Sequence, residues 1–127
     1  MIQTNFILYV ADQERAKAFY AQVLAREPRL HVPGMTEFDL GAGAVLGLMP
    51  ERGIRRLLGD EHFPDAPPTP RAELYLLVDD PQAYLDRAKA AGALELSPLL
   101  PRDWGHTAAY CLDPDRHVLA FAVVTPA

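Results

Sequence analysis

Apolar and polar residues alternate along this chain in two rhythms, and the two come in the same order twice. Residues 5 to 10 read as a strand leading to Asp12, whose short carboxylate can accept the free N–H groups that open a helix. Ala16, Phe19, Tyr20, Val23 and Leu24 then fall at i, i+3, i+4, i+7 and i+8, while Gln13, Glu14, Arg15, Lys17 and Gln22 take the other face. That spacing predicts an amphipathic helix. After Pro28 the segments shorten to 29–32, 36–40 and 44–49, separated by Pro33-Gly34 and Gly41-Ala-Gly43, which is turn chemistry and predicts three antiparallel strands.

The same series restarts near Ala72. Leu74 to Val78 reads as a strand, Asp80 as a helix cap and Pro81 as the first helical position, where a missing N–H is harmless. Tyr84, Leu85, Ala88 and Ala91 form the apolar stripe, and Gly92 ends it. Strands are predicted over Leu94–Leu96, His106–Leu112 and Val118–Val124, with Asp113-Pro-Asp-Arg116 as the turn before the last. The segment Phe6-Ile-Leu-Tyr-Val-Ala-Asp12 thus returns as Leu74-Tyr-Leu-Leu-Val-Asp-Asp80. The expected architecture is α+β, a βαβββ module written twice within one domain: module one over 1–49, a linker over 50–72 and module two over 73–127. In a duplicated module, equivalent positions can face each other across a pseudo-two-fold axis, and a ligand site commonly lies there.

The linker differs from both modules. Pro50, Pro64, Pro67, Pro68 and Pro70 favour a stiff, extended chain towards its end. Its apolar group, Ile54, Leu57, Leu58 and Phe63, suits packing on the outside of the fold; the alternative is a short helix that closes over something.

Composition narrows the partners. A chain of 127 residues suits one domain that buries about two-thirds of the surface its unfolded form exposes. The apolar fraction of 50% is ordinary, and the longest apolar runs fall far short of the roughly 18 residues of a membrane span. No basic segment followed by an apolar stretch opens the sequence, so a cytoplasmic location is expected. The lone Cys111, in Ala108-Ala-Tyr-Cys-Leu112, reads as a small buried hydrophobe rather than a reactive thiol. A net charge of -5 argues against a nucleic-acid partner, and Arg52, Arg55 and Arg56, followed by Asp60 and Glu61, read as a solvated face.

The double module, together with Asp113-Pro-Asp-Arg-His-Val-Leu119 and Pro101-Arg-Asp-Trp-Gly105, resembles the vicinal oxygen chelate superfamily, which includes glyoxalase I, extradiol dioxygenases and the fosfomycin and bleomycin resistance proteins. The resemblance covers nearly the whole chain and is specific for fold rather than reaction. It implies a curled eight-stranded mixed sheet around a cavity, often in a homodimer whose two chains together complete two sites. In metal-dependent members, His and Glu residues on the first and last strands of each module hold a divalent ion, and those places fall here at Asn5, Gly47, Glu73 and Ala120. The repeat supports this register: Asn5 matches Glu73, and Val45-Leu-Gly-Leu48 matches Val118-Leu-Ala-Phe121.

The residues depart from the metal-binding pattern. Gly47 and Ala120 carry no ligating atom, Asn5 is a weak neutral donor and only Glu73 is charged, whereas zinc or iron sites need about three good N, O or S ligands. No metal and no cofactor are therefore expected. Among the histidines, His117 is off the parity of Ala120, His31 and His62 lie in or beside turn and linker segments, and only His106 approaches the implied cavity. Alternation extends that cavity's face to Ile7 and Tyr9, to Tyr75 and Leu77, and to Ala122.

The expected ligand-binding set is Asn5, Tyr9, Gly47, Glu73, Tyr75, Trp104, His106 and Ala120. The expected function is metal-independent binding of a small organic molecule, similar to the sequestering bleomycin resistance type. Glu73 would anchor a basic or hydrogen-bond-donating group, and Tyr9, Tyr75 and Trp104 would pack against planar or cationic parts. The enzymatic alternative is a glyoxalase-like lyase or a dioxygenase with a divalent metal at a non-standard site, Glu73 acting as base and His106 or Arg102 stabilising an oxyanion. A third reading makes the domain an assembly unit that dimerises through its sheets.

Overall fold

Each module folds around a parallel pair formed by its first and last strands. The computed structural model describes residues 2–61, 63 and 70–127. His62 and the proline-rich end of the linker, with Pro64, Pro67 and Pro68, lie outside them. In chain order the elements are β1 (Thr4–Val10), α1 (Gln13–Leu24), β2 (Leu30–Val32), β3 (Met35–Gly41), β4 (Ala44–Pro50), α2 (Glu51–Leu58), β5 (Glu73–Leu77), α3 (Pro81–Ala90), β6 (Leu94–Pro101), β7 (His106–Leu112) and β8 (Val118–Val124). The eight predicted strands make two four-stranded mixed sheets, ordered β1-β4-β3-β2 and β5-β8-β7-β6. The contacts divide the chain into two compact units, one running from β1 to α2 and the other from β5 to β8, with Gln22–Leu24 of α1 grouped with the second.

In the first unit Leu8 and Val10 of β1, Phe38 of β3, and Leu46 and Leu48 of β4 are buried on one sheet face, and Ala16, Phe19 and Tyr20 of α1 are buried too. Phe19 and Tyr20 meet edge to face at 4.9 Å. Asp12 opens α1 as its short side chain predicts, accepting from Arg15 N at 3.1 Å. Gln13 ties that end of the helix to the sheet: its Nε2 donates to Val32 O at 2.8 Å and to Thr36 Oγ1 at 2.9 Å, while its Oε1 accepts from Gly34 N. The β3–β4 turn needs left-handed backbone at Gly41, Ala42 and Gly43, and glycine fills two of the three places.

The second unit repeats this plan. Asp80 accepts from Ala83 N at 3.2 Å to open α3 behind Pro81. Leu85 and Ala88 of α3 are buried together with Leu74, Cys111, Leu119 and Phe121 of the sheet. Tyr84 lies 5.6 Å from Phe121, and the Arg87 guanidinium sits 4.4 Å from the centre of the Tyr84 ring. Asp113, 4% exposed, closes the β7–β8 turn by accepting from Asp115 N, His117 N and His117 Nδ1.

Two segments differ in extent from the sequence reading. Strand β6 runs on to Pro101 through register shifts between Glu95 and Ser97 and between Ser97 and Leu100. It lies at a sheet edge, where a proline such as Pro98 is tolerated. In the linker the short-helix alternative forms as α2, which touches β1 and β4 and buries Ile54, while Leu57 and Leu58 stay exposed. Among the described residues no helix is long and apolar enough to cross a membrane.

Candidate functional site

Equivalent residues of the repeat meet equivalent partners. In the first unit Phe6 pairs with Leu46 and Ile7 with Gly47; in the second Leu74 pairs with Leu119 and Tyr75 with Ala120. Alternation then turns one set of side chains on each sheet away from the buried face just described. In the second unit that set includes Glu73, Tyr75 and Leu77 of β5, Ala120 and Ala122 of β8, and His106, Ala108 and Tyr110 of β7.

Ala120 lies between two tyrosines, since its neighbours across the ladder are Tyr75 on one side and Tyr110 on the other. Tyr75 Oη is 2.6 Å from His106 Nδ1, and the two rings are tilted by 32° at a centroid distance of 5.7 Å. Trp104, on the loop before β7, donates its Nε1–H to Tyr75 Oη at 2.9 Å and is 55% exposed. To reach His106, which pairs with Val124, the Tyr75 side chain must cross β8 near Ala122. Ala108, Ala120 and Ala122 have no exposed surface, so the small residues form the floor under the aromatic group. Tyr75, His106 and Tyr110 are half-buried and Glu73 is exposed at the start of β5. Burial, then the Glu73 charge, then Tyr75 push the Tyr110 hydroxyl above its ordinary pKa, with Arg102 acting the other way.

Arg102 packs beside this surface, against Tyr110. Its Nε donates to Ala108 O, its Nη2 to Ser97 Oγ, Pro98 O and Ala108 O, and its guanidinium carbon lies 5.2 Å from the Tyr110 ring centre. Those two nitrogens tie Arg102 to β6 and β7.

In the first unit the corresponding face carries Asn5, Ile7 and Tyr9 of β1 and Gly47 of β4. Asn5 Nδ2 is 3.5 Å from Glu37 Oε2, at the outer limit of a hydrogen bond, and Glu37 is held by Arg29 at 2.9 Å. Tyr9, 40% exposed, meets Phe63 edge to face at 6.0 Å. The side-chain space at Gly47 is already taken: a methyl group there would lie 3.1 Å from Ile7 Cγ1 and 3.3 Å from Met35 Sδ. Of the expected set, Glu73, Tyr75, Trp104, His106 and Ala120 come together on one sheet; Asn5, Tyr9 and Gly47 belong to the other unit.

Sequence reasoning overlooked Tyr110, Glu37 and Arg29. Alternation counted outward along β7 and β3, as it was along β1, β5 and β8, finds the first two, because Tyr110 stands opposite Ala120 and Glu37 opposite Gly47. The remaining described histidines have structural partners. His31 Nδ1 is 2.7 Å from Thr36 Oγ1 and its Nε2 2.7 Å from Glu14 Oε1, while His117 is bound to Asp113.

A divalent ion at the four places that the resemblance implies does not suit these residues. Gly47 is filled in by neighbours, Ala120 has no ligating atom, and the Asn5 amide faces Glu37. Among the described residues no three His, Cys, Asp or Glu side chains are grouped so as to hold a metal.

The double β-α-β-β-β plan and the face of each sheet define a fold family. The sequence model of the Glyoxalase/Bleomycin resistance protein/Dioxygenase superfamily matches residues 3–121, and the chain belongs to that superfamily. Solved structures with the same fold include a glyoxalase/bleomycin resistance protein/dioxygenase family enzyme from Burkholderia phytofirmans PsJN, at 20% identity and a TM-score of 0.82 over 94% of this chain and 96% of that one. A glyoxalase-related enzyme from Fulvimarina pelagi is 21% identical, with a TM-score of 0.79 over 97% of this chain and 87% of that one. No curated protein sequence matches the chain.

Proposed function

We propose that this protein binds a small organic molecule without a metal ion, in the manner of sequestering members of its superfamily, and that the second sheet carries the main contacts. The observation that supports this most is the group formed by Trp104, Tyr75 and His106, half-exposed rings joined by hydrogen bonds above a floor of alanines, with Tyr110 on the same face across Ala120 and Glu73 at the start of β5. Such a surface offers flat apolar area with a few fixed polar atoms, which is the usual make-up of a small-molecule site. A planar or cationic ligand suits it, with Glu73 as anchor and the exposed Trp104 ring as a stacking partner.

Thermal-shift screening of the purified chain against cationic aromatic compounds tests this, because a ligand of the native state raises stability by mass action. For any compound found, Glu73→Ala should weaken binding roughly 5- to 20-fold, at the lower end for a charged hydrogen bond because Glu73 is exposed. Unchanged affinity removes Glu73 from the site. Metal analysis of protein purified without chelators separates this reading from a lyase or dioxygenase: stoichiometric iron, manganese, nickel or zinc would replace it. A homodimer and a cytoplasmic location belong to the same proposal. The first is supported by exposed apolar residues on the second sheet, Leu77, Leu94, Leu96, Leu100 and Val124, and the second by the single, fully buried thiol.

A further inference from the structure

We propose that Trp104 and Tyr75 are positioning residues that lock His106 as its Nε2–H tautomer, so that this end of the site selects ligands carrying a hydrogen-bond acceptor, a carbonyl or carboxylate oxygen. The inference rests on the reading of this sheet face as a ligand site and adds which chemistry is accepted at which end. An indole nitrogen can only donate, so the 2.9 Å contact fixes Tyr75 Oη as acceptor towards Trp104. A phenol oxygen has one proton to give, and the only other partner at Tyr75 Oη among the described residues is His106 Nδ1, 2.6 Å away. If Nδ1 carried the hydrogen, Tyr75 would accept twice, and its own half-buried proton would be left without an acceptor, which is unfavourable. The lower-energy order is therefore Trp104 Nε1–H to Tyr75 Oη, and Tyr75 Oη–H to His106 Nδ1. With Nδ1 an acceptor, neutral His106 carries its hydrogen on Nε2.

His106 Nε2 has no hydrogen-bond partner among the described residues, and the ring is half-buried. The site therefore offers a donor at His106, whereas Glu73, an acceptor-only carboxylate, takes donors or cations. The two ends ask for opposite groups, and a ligand that matches both is fixed in one orientation. Tyr75 reaches across β8 to make its bond, so the same contact that sets the tautomer links β5 to β7 above the alanines.

The tautomer can be read without a ligand. Long-range proton–nitrogen spectra of the isotope-labelled full chain, taken at a pH above which the His106 signals no longer move, should show protonated Nε2 and bare Nδ1 for His106. Trp104→Phe removes only the donor and Tyr75→Phe only the hydroxyl; both should release the ring into a mixture of tautomers, whereas Tyr84→Phe, on α3, should leave it unchanged. A protonated Nδ1 in the native chain, or a tautomer that neither substitution moves, overturns the assignment. Sodium benzoate, an acceptor-only probe, should then shift the His106 Nε2–H signal, several-fold less in Trp104→Phe than in the native chain, and benzylammonium should not shift it. The reverse preference overturns the selectivity. Because the first measurement needs no ligand, failure of Glu73-anchored binding would leave it standing, and a protonated Nδ1 would leave Glu73-anchored binding untouched.

Discussion

Tyr110 ionises with difficulty because three features act in one direction: burial foremost, then the negative charge of Glu73, then the neighbouring Tyr75. Glu73→Gln keeps the shape and removes the charge, so Tyr110 should form its phenolate at a lower pH in the variant, read from ultraviolet absorbance. An unmoved titration would place Glu73 too far away to share a ligand with the tyrosines. Cys111 titrates for different reasons. Burial first, and then Asp113 and Glu95, push its thiol up to about 12. The folded state thus favours the neutral thiol: its contribution is whole below the ordinary pKa of 9.0 and is lost as pH rises towards about 12. Cys111→Ala should flatten the loss of stability across that window, measured by denaturant melts, and the native thiol should react with a disulfide reagent only after unfolding. The burial of Cys111 was legible in its apolar strand. The environment of Tyr110 was not, because Glu73 and Tyr110 approach across β8 and are far apart in sequence.

At the scale of elements, hydrophobic period and capping chemistry carry most of the fold. Asp12 and Asp80 open their helices as their short side chains predict, and the repeat places Gly47 and Ala120 at the same point of equivalent ladders. Two features needed the structure. Helix α2 is the alternative reading of the linker: its Ile54, Leu57 and Leu58 fall at helical spacing ahead of most of the prolines, and Ile54 is buried where α2 touches β1 and β4. The other is Gly47, which has no side chain of its own but has Ile7 and Met35 close beside it. Gly47→Ala should therefore destabilise the protein by about 1 kcal/mol, in the low range for overpacking because the Met35 thioether can move more easily than the branched Ile7. Combining it with Ile7→Ala should cost less than the sum of the two single changes, a coupling that a double-mutant cycle of denaturant melts measures. Strict additivity would mean that the added methyl meets nothing.

At the scale of the molecule, the superfamily is established by the family match across residues 3–121, while reaction and ligand depend on side chains that the fold does not dictate. Several large apolar residues of the second unit lie open, among them Leu77, Leu94, Leu96 and Val124. If the proposed homodimer covers them, light scattering on the eluted protein should give twice the chain mass, and a charged substitution such as Leu96→Glu should shift it towards the single-chain mass. A stable interface of this kind needs roughly 1,000 Å² or more. A chain mass that is single throughout would leave those residues as ordinary exposed surface.

By itself the sequence determined the repeat and the place of most strands and helices, because these follow from periods and caps that lie within a few residues of one another. Only the tertiary structure decided which side chains meet across strands: Tyr75 with His106 and Trp104, Tyr110 with the Glu73 charge, Asn5 with Glu37. Lateral neighbours depend on how whole strands align and on which way long rings turn above small residues, and a one-dimensional pattern does not encode either directly. That is why alternation could name residues of this face, while the hydrogen bonds that join Tyr75, His106 and Trp104 above the alanines appear only in the structure.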